Sequence, residues 1–192
     1  MQEKITQEEF KNIVHRRQRE MFGERYVGAN LGTIDAPEWA QIKISEFMHK
    51  KQHFLVWCGN KGIGKTHLGS ALVDWAIKNF NSYRKHKESD LQKKVRAAMG
   101  EEKGDYFDYL KYEIDDDLLM IDDIGRDGWT PFREELLIET VDQRYNSMKP
   151  TIFTSNLSRA DFEEKYHERI ADRLFAKENF IIETMDLISK RQ

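Results

Sequence analysis

Apolar positions along the chain follow two periods, one typical of amphipathic helices and one of short buried strands. Apolar runs predict strands at residues 53–57, 118–121, 151–154 and 180–183, with a weaker candidate at 82–86. Helical spacing predicts helices over residues 1–22, 36–50, 65–80, 89–99 and 131–148, and two shorter helices from about 158 and 167. Strands that alternate with helices predict an α/β fold with a mostly parallel sheet covered on both faces.

The first predicted helix carries a start signal in its own sequence. Thr6 and Glu9 have capping-box spacing, and Phe10, Ile13 and Val14 recur at helical intervals among charged residues. We therefore expect a helical N-terminal arm and linker over residues 1–35 and one α/β domain over 36–192. The apolar stripe of the arm has two interpretations: it packs on its own domain, or it contacts a partner.

Composition and charge limit the expected location of the protein and the ligands that it can bind. Hydrophobic residues at 39% and charged residues at 34% fit a folded globular protein, and we expect a cytoplasmic location without membrane contact. The net charge of −3 gives no overall positive field, so contact with DNA would need a local basic patch. Cys58, the single cysteine, excludes an intrachain disulfide and is interpreted as a small core residue.

A phosphate-binding pattern follows the strand predicted at residues 53–57. Residues 59–66, GNKGIGKT, match G-x-x-x-x-G-K-[ST] between a predicted strand and a predicted helix. Glycines let several backbone N–H groups point at one anion; Lys65 is expected to reach the β- and γ-phosphates, and the Thr66 hydroxyl to bind Mg²⁺. The predicted nucleotide-binding residues are Gly59, Asn60, Lys61, Gly62, Ile63, Gly64, Lys65, Thr66 and His67.

Two carboxylates follow the strand predicted at 118–121. Asp122 is predicted to emerge beside the phosphate loop as a second Mg²⁺ ligand, and Asp123 to orient or deprotonate an attacking water. An ordinary capped strand end is the alternative, and the phosphate loop upstream favours the catalytic interpretation. The three aspartates at residues 115–117 are interpreted as a solvated acidic turn.

Polar residues farther along the chain complete the candidate site. Asn156 ends the strand predicted at 151–154, where it would hold the attacking water or contact the γ-phosphate; a plain helix cap is the alternative. Arg169 and Arg173 share one helical face, and an arginine supplied across a subunit boundary can stabilise charge on a phosphate. Their alternative is a surface ion pair with Asp172 or Glu168.

Five segments in this order resemble one family. They are GNKGIGKTHLGSAL, SDLQKKVRAA, DDLLMIDDIG, QRYNSMKPTIFTSNLS and ERIADRLF. Together they resemble the AAA+ helicase loaders of the DnaC/DnaI type and their relatives, the IstB-type transposition ATPases. The resemblance covers about residues 35–185, and its most specific part combines IDDIG, PTIFTSNLS and the arginine-bearing helix.

The resemblance implies a fold, two cofactors and several residue roles. It implies a P-loop AAA+ fold of the ASCE type, which is a three-layer sandwich with a five-stranded parallel sheet and a reduced or absent C-terminal lid. It also implies that this domain binds ATP and Mg²⁺. Asn156 falls on the sensor position. Arg173 falls on the arginine-finger position, where it acts on ATP of a neighbouring subunit. Asp123 stands where AAA+ enzymes commonly have glutamate, so slow hydrolysis is expected.

The same resemblance places a DNA-contacting helix and a flank for the adenine. Residues 83–99 fall where these loaders carry an extra helix near the pore that meets single-stranded DNA, and residues 29–34 flank the adenine. The basic candidates are Arg84, Lys85, Lys87, Lys93, Lys94 and Arg96. A solvated basic helix is the alternative for this segment.

The expected function is therefore an ATP-dependent loader of a hexameric, DnaB-type replicative helicase onto single-stranded DNA. ATP would assemble copies head to tail, and the arm over residues 1–35 is a candidate contact for the helicase. One alternative is an IstB-like transposition helper that binds duplex DNA. Another is a non-hydrolysing, nucleotide-gated module that occupies a host helicase or loader.

Overall fold

A computed structural model describes residues 5–99 and 106–187 as a parallel sheet between two layers of helices. The strands are β1 (Phe54–Gly59), β2 (Tyr83–Lys87), β3 (Leu118–Ile124), β4 (Thr151–Ser155) and β5 (Phe180–Thr184). The helices are α1 (Gln7–Phe22), α2 (Glu38–Lys50), α3 (Lys65–Ala71), α4 (Val73–Asn79), α5 (Glu88–Met99), α6 (Tyr106–Ile114), α7 (Pro131–Asn146), α8 (Arg159–Lys165) and α9 (Glu168–Leu174). Short 3₁₀ helices cover Glu24–Tyr26 and Leu31–Thr33.

The sheet has the order β2-β3-β4-β1-β5, and every pairing is parallel. All six residues of β1 are buried, because it is an inner strand with helices on both faces. Leu55 and Trp57 pack into the core shared with α1 to α4, and Phe54 and Val56 into the core on the opposite face. Full burial of each such side chain stabilises the fold by about 1.5–3 kcal/mol.

The predicted α/β fold with a five-stranded parallel sheet is confirmed, and two details of the helix prediction are wrong. The single helix predicted over residues 65–80 is divided at Leu72 into α3 and α4. Gly69, a poor helix former, precedes this break; a Cβ there would overlap Met120 and Phe22, so the close packing requires glycine. Helix α6 was not predicted at all.

Helix α1 begins with the predicted capping box. The Thr6 hydroxyl accepts a hydrogen bond from the Glu9 N–H at 3.2 Å, and the Glu9 carboxylate accepts one from the Thr6 N–H at 2.8 Å. Val14 and Phe22 enter the core shared with α3 and α4. The start of the predicted helix, residues 1–4, lies outside the described residues, and a helicase contact by the arm stays a prediction.

The acidic turn before β3 is less solvated than expected. Asp115 is exposed, but Asp116 and Asp117 are half-buried. The Asp116 carboxylate accepts a hydrogen bond from Arg84 Nε, and the Asp117 carboxylate accepts one from the Asn81 N–H at 2.9 Å. Two of the three aspartates therefore bind residues that are distant in the chain, which sequence spacing does not reveal.

Within residues 5–99 and 106–187, the helices are too short or too polar to span a membrane.

A buried arginine joins the starts of β3 and β4 to α7. Arg144 is 1% exposed, and its guanidinium donates to the Thr151 hydroxyl and to the main-chain carbonyls of Ile114, Asp116 and Pro150. Burial lowers the pKa of Arg144 to about 10, so it remains charged at neutral pH. The guanidinium thus supplies donors to buried carbonyls before the starts of β3 and β4.

Replacement of Arg144 by methionine is expected to destabilise the protein by about 3 kcal/mol or more, because several buried carbonyls lose their donor. Urea unfolding followed by circular dichroism measures the change. Arg17→Met is the matched control: Arg17 is exposed and paired with Glu20 at 3.5 Å, so its loss should cost less than about 1 kcal/mol. Equal stabilities of the two variants would contradict the assigned role of Arg144.

Candidate nucleotide-binding site

The loop between β1 and α3 has a backbone that suits glycine at three positions. Gly62 has a φ of 85° and Gly64 a φ of 103°, both in the left-handed region. A Cβ at Gly59 would overlap the side chains of Ile63 and Thr184. The three glycines of the motif are therefore needed for the turn by which the chain leaves the sheet and enters the helix.

Lys65 is the cation at the centre of this loop. It is 6% exposed, and its ammonium donates to the main-chain carbonyls of Gly59 and Asn60 at 2.6 and 2.8 Å. It also donates to Asn156 Oδ1 at 2.9 Å. The end of β4 thus lies within hydrogen-bond distance of the phosphate loop, and the predicted contact of Asn156 with water or the γ-phosphate stays a prediction.

Asp122 lies next to the loop at the end of β3. Its carboxylate is 1% exposed and accepts hydrogen bonds from the Thr154 hydroxyl at 2.6 Å and the Thr66 hydroxyl at 3.2 Å. Lys85 Nζ is 3.6 Å from the same carboxylate. Together these groups hold the Asp122 carboxylate beside the Thr66 hydroxyl in the first turn of α3.

The pair of Thr66 and Asp122 fits a magnesium ion that takes most of its ligands from nucleotide and water. Mg²⁺ prefers oxygen ligands and is commonly bound by one or two protein groups plus phosphates. Among the described residues no cluster of three or more His, Cys, Asp or Glu side chains could hold a metal ion. Thr66 and Asp122 would supply two oxygen ligands to a metal at this edge of the sheet.

The carboxylate of Asp123 lies on the same edge of the sheet. It accepts hydrogen bonds from Asn156 Nδ2 at 3.1 Å and from Arg126 at 3.2 Å, and the Asp123 N–H donates to the Thr154 hydroxyl at 3.0 Å. Asn156 therefore bridges Lys65 and Asp123. The helix cap considered for Asn156 is supplied instead by Ser158, whose hydroxyl accepts from the Asp161 N–H.

An irregularity in β3 turns the Asp123 side chain away from the regular strand alternation. The register of β3 with β4 shifts between Ile121 and Ile124, and Asp123 has a φ of 59°. Gly125 follows with a φ of 76°, and its N–H donates to the buried Glu88 carboxylate at 2.8 Å. A non-glycine residue held in the left-handed region at such a position is typical of functional sites.

One cavity of about 640 Å³ joins the phosphate loop, the two aspartates and Asn156. This volume is typical of a site for a nucleotide-sized ligand. The cavity is also lined by residues that sequence reasoning did not assign to a site, namely Phe22, Arg25, Tyr26, Asp35 and Arg126. No motif marks the first three, which reach the cavity only because α1 packs on α3 and α4.

The segment predicted to flank the adenine reaches this cavity at one residue. Thr33 lines the cavity, and its hydroxyl is 2.8 Å from His67 Nε2. Burial lowers the pKa of His67, so the imidazole is neutral at physiological pH. The contact between Thr33 and His67 thus joins the adenine flank predicted at 29–34 to the nucleotide-binding residues predicted at 59–67.

Sequence comparison identifies the family that carries this site. The sequence model of the IstB-like ATP-binding proteins matches residues 30–179. The chain belongs to this family. Its relatives include the replicative helicase loader DnaC of Buchnera aphidicola from Acyrthosiphon pisum, 28% identical over 136 residues that make up 70% of this chain and 55% of the relative.

Other relatives extend the comparison. DnaC of Escherichia coli K12 is 24% identical over 74% of this chain and 58% of its own length, so the chain spans about half the length of these curated relatives. Among solved structures, that of the DnaC helicase loader has a TM-score of 0.69 at 28% identity and covers 83% of this chain and 99% of that one. The structure of DnaI, with a TM-score of 0.68 at 23% identity, shows the same fold over 85% of this chain and 95% of that chain.

The two arginines of this IstB-like protein bind an aspartate on a different helix from the one expected. Arg169 and Arg173 on α9 both form ion pairs with Asp142 of α7, Arg173 through Nε at 2.7 Å. The pairing considered with Asp172 or Glu168 was wrong, because the packing of α7 against α9 brings the 8% exposed Asp142 side chain to both arginines. Neither arginine lines the cavity of its own subunit.

The six basic residues predicted to contact DNA are distributed over different surroundings. Arg84 and Lys94 both bind Glu113, and Lys85 binds Asp122, so carboxylates offset these three charges. Lys87 lines the nucleotide cavity. On α5, Lys93 is exposed beside Asp90, and the Arg96 guanidinium lies over Phe132. Contact with DNA by this set stays a prediction.

Cys58 lies in the core at the end of β1. Burial, with a smaller effect of the Glu183 carboxylate, raises the pKa of its thiol to about 12. We expect dithionitrobenzoate at pH 8 to react with Cys58 only after the protein unfolds, because the reactive thiolate is scarce and inaccessible in the native state. Absorbance at 412 nm, with and without urea, tests this; rapid reaction of the native protein would contradict it.

Proposed function

We propose that this protein is an ATPase that loads a hexameric, DnaB-type replicative helicase onto single-stranded DNA and acts in the cytoplasm. The observation that carries the proposal is the hydrogen-bonded set of Lys65, Asp122, Asp123 and Asn156 at the mouth of the phosphate loop. Such a set supplies a cation for phosphate, a carboxylate for a metal and a carboxylate for water. Relatives named as helicase loaders support the choice of partner.

Each side chain has a role in hydrolysis under this proposal. The Lys65 ammonium binds the β- and γ-phosphates. Thr66 and Asp122 would hold Mg²⁺, which would supply positive charge to the same phosphates. Asp123 orients the water, accepts its proton as the oxygen bonds to the γ-phosphorus, and is itself held by Asn156. The bond from phosphorus to the bridging oxygen of ADP breaks.

Assembly supplies the remaining cation. Arg173 lies outside its own cavity, so we propose that it leaves Asp142 and reaches ATP in a neighbouring copy, arranged head to tail. Arg169 remains available to Asp142 when Arg173 moves. ATP binding would thus favour assembly around the helicase, and hydrolysis would release it.

A helicase-loading assay tests the proposal. The helicase from the same source is added to single-stranded circular DNA coated with single-strand-binding protein, and displacement of an annealed oligonucleotide is measured. We expect displacement to require this protein and ATP, and to be lost with Lys65→Ala. Equal displacement with and without the protein would contradict the proposal.

A transposition helper is the second candidate, favoured by the match to the IstB-like family and by a relative from insertion sequence IS232 of Bacillus thuringiensis. That relative is 30% identical over 121 residues, 62% of this chain. Fluorescence anisotropy with single-stranded and duplex oligonucleotides separates the two functions: a loader prefers single strands, and a transposition helper prefers the duplex. Tight ATP binding without hydrolysis, even with DNA and helicase, would favour the nucleotide-gated module instead.

A further inference from the structure

The N-terminal arm forms one wall of the nucleotide cavity. Phe22 at the end of α1, with Arg25 and Tyr26 in the 3₁₀ turn that follows, lines the same cavity as the phosphate loop. Gly23 between them has a φ of 88°, which lets the chain leave α1 and turn toward the cavity. The wall is therefore built by a local change of direction after the helix.

A buried glutamine fixes this wall relative to the phosphate loop. Gln18 is fully buried; its amide donates to the carbonyls of Ala29 and Ser70 at 2.7 and 3.0 Å and accepts from the Gly28 N–H at 2.8 Å. The Ser70 hydroxyl in turn donates to the Tyr26 carbonyl at 2.9 Å. Ser70 lies on α3, which starts at Lys65, so the arm and the loop share one rigid support.

Arg25 is the cation that this wall presents. Two other arginines of the arm are paired: Arg17 with Glu20, and Arg19 with Glu24 at 2.5 Å. Arg25 is exposed and makes no side-chain hydrogen bond or ion pair with any residue in 5–99 or 106–187. Arg25 thus brings to the nucleotide cavity a positive charge that no ion pair within the described residues offsets.

The arm meets the cavity on the side of the metal ligands. Lys85 Nζ lies 5.2 Å from the centre of the Phe22 ring and 3.6 Å from the carboxylate of Asp122. Asp122 would hold Mg²⁺, which supplies charge to the terminal phosphates, so those phosphates would lie on the side of the cavity where this wall stands. Arginine binds phosphate through a planar fork of donors, which makes a charge-assisted contact strong.

We propose that Arg25 is a nucleotide-binding residue, supplied by the arm of the same subunit, whose guanidinium contacts the terminal phosphate of ATP held by the phosphate loop. The inference rests on the proposed ATP binding. It gives the arm a function beyond packing, because loss or movement of the arm would remove a phosphate contact. Nucleotide state and arm position are then linked, since ligand and arm stabilise each other.

Fluorescence titrations with mant-ATP and mant-ADP in Mg²⁺ test the proposal on the full chain. Arg25→Ala should weaken ATP binding about tenfold, as expected for one lost charge-assisted contact, and ADP binding much less. Arg25→Lys should recover part of the loss, because a positive charge remains. Arg16→Ala is the matched control, since Arg16 is an exposed arginine of α1 that does not line the nucleotide cavity.

Two results would overturn the role of Arg25: unchanged ATP affinity in Arg25→Ala, or equal losses for ATP and ADP. Thermal denaturation of each variant shows that the fold is kept. Failure of the proposed ATP binding, on which the inference rests, is distinguishable, because the wild-type protein would then bind neither nucleotide. The inference alone would be overturned if the wild type binds ATP, Lys65→Ala abolishes this binding and Arg25→Ala leaves it unchanged. ATP binding by the phosphate loop would then stand without a contact from Arg25.

Discussion

Lys65→Ala is expected to weaken ATP binding by about 100-fold or more and to abolish hydrolysis. The ammonium lies inside the loop, 2.6 and 2.8 Å from two loop carbonyls, and is the cation placed to bind the β- and γ-phosphates together. Two lost charge-assisted hydrogen bonds of about 1.5 kcal/mol each correspond to a factor of this size. Titration with mant-ATP measures the affinity, and phosphate release measures turnover.

Lys78→Ala is the control for this variant. Lys78 lies on α4 and forms an exposed ion pair with Asp74 at 2.8 Å, outside the residues that line the nucleotide cavity. Its ATP affinity should equal that of the wild type. Wild-type affinity in Lys65→Ala would show that the loop does not hold the phosphates as we infer.

Arg173→Ala should abolish stimulated hydrolysis and leave ATP binding unchanged. An arginine that acts on a neighbour's ATP contributes about 10³-fold or more to turnover, and it makes no contact with nucleotide in its own subunit. Asp142 keeps Arg169 as a partner in this variant, so the fold should be retained. Phosphate release with single-stranded DNA and helicase present, beside mant-ATP titration, separates the two effects.

Mixing two inactive variants sharpens this test. Lys65→Ala retains Arg173 but does not bind ATP, and Arg173→Ala binds ATP but lacks the arginine. In mixed assemblies some sites combine an intact loop with an intact arginine, so activity should partly return.

Arg169→Ala is the matched arginine control for Arg173→Ala and should keep its turnover. Loss of turnover in Arg169→Ala, with normal turnover in Arg173→Ala, would reverse the assignment.

Local signals in the sequence were enough to predict the sheet and the phosphate loop. The inner strands β1, β3 and β4 are short runs, mostly apolar, that are buried on both faces, and Gly62 and Gly64 have the positive φ angles that favour glycine. The capping box of Thr6 and Glu9 also acts within one helical turn. Such features depend on neighbours in the chain, so the pattern alone predicts them.

Contacts between distant segments could not be predicted in this way. Asp142 binds both arginines of α9 only because α7 and α9 pack together, and no spacing rule links them. Arg25 reaches the nucleotide cavity through the packing of α1 on α3 and α4. Helix α6 was not predicted because its aromatic residues fit strands as well as helices.

Size-exclusion chromatography with light scattering tests the central claim most directly, on the protein mixed with the hexameric replicative helicase of the same source. The account predicts a defined complex, larger than the helicase hexamer, that forms with ATP and Mg²⁺ and is lost without nucleotide or with Lys65→Ala. Absence of a complex in every nucleotide state would contradict the loader function and direct attention to duplex DNA and a transposase.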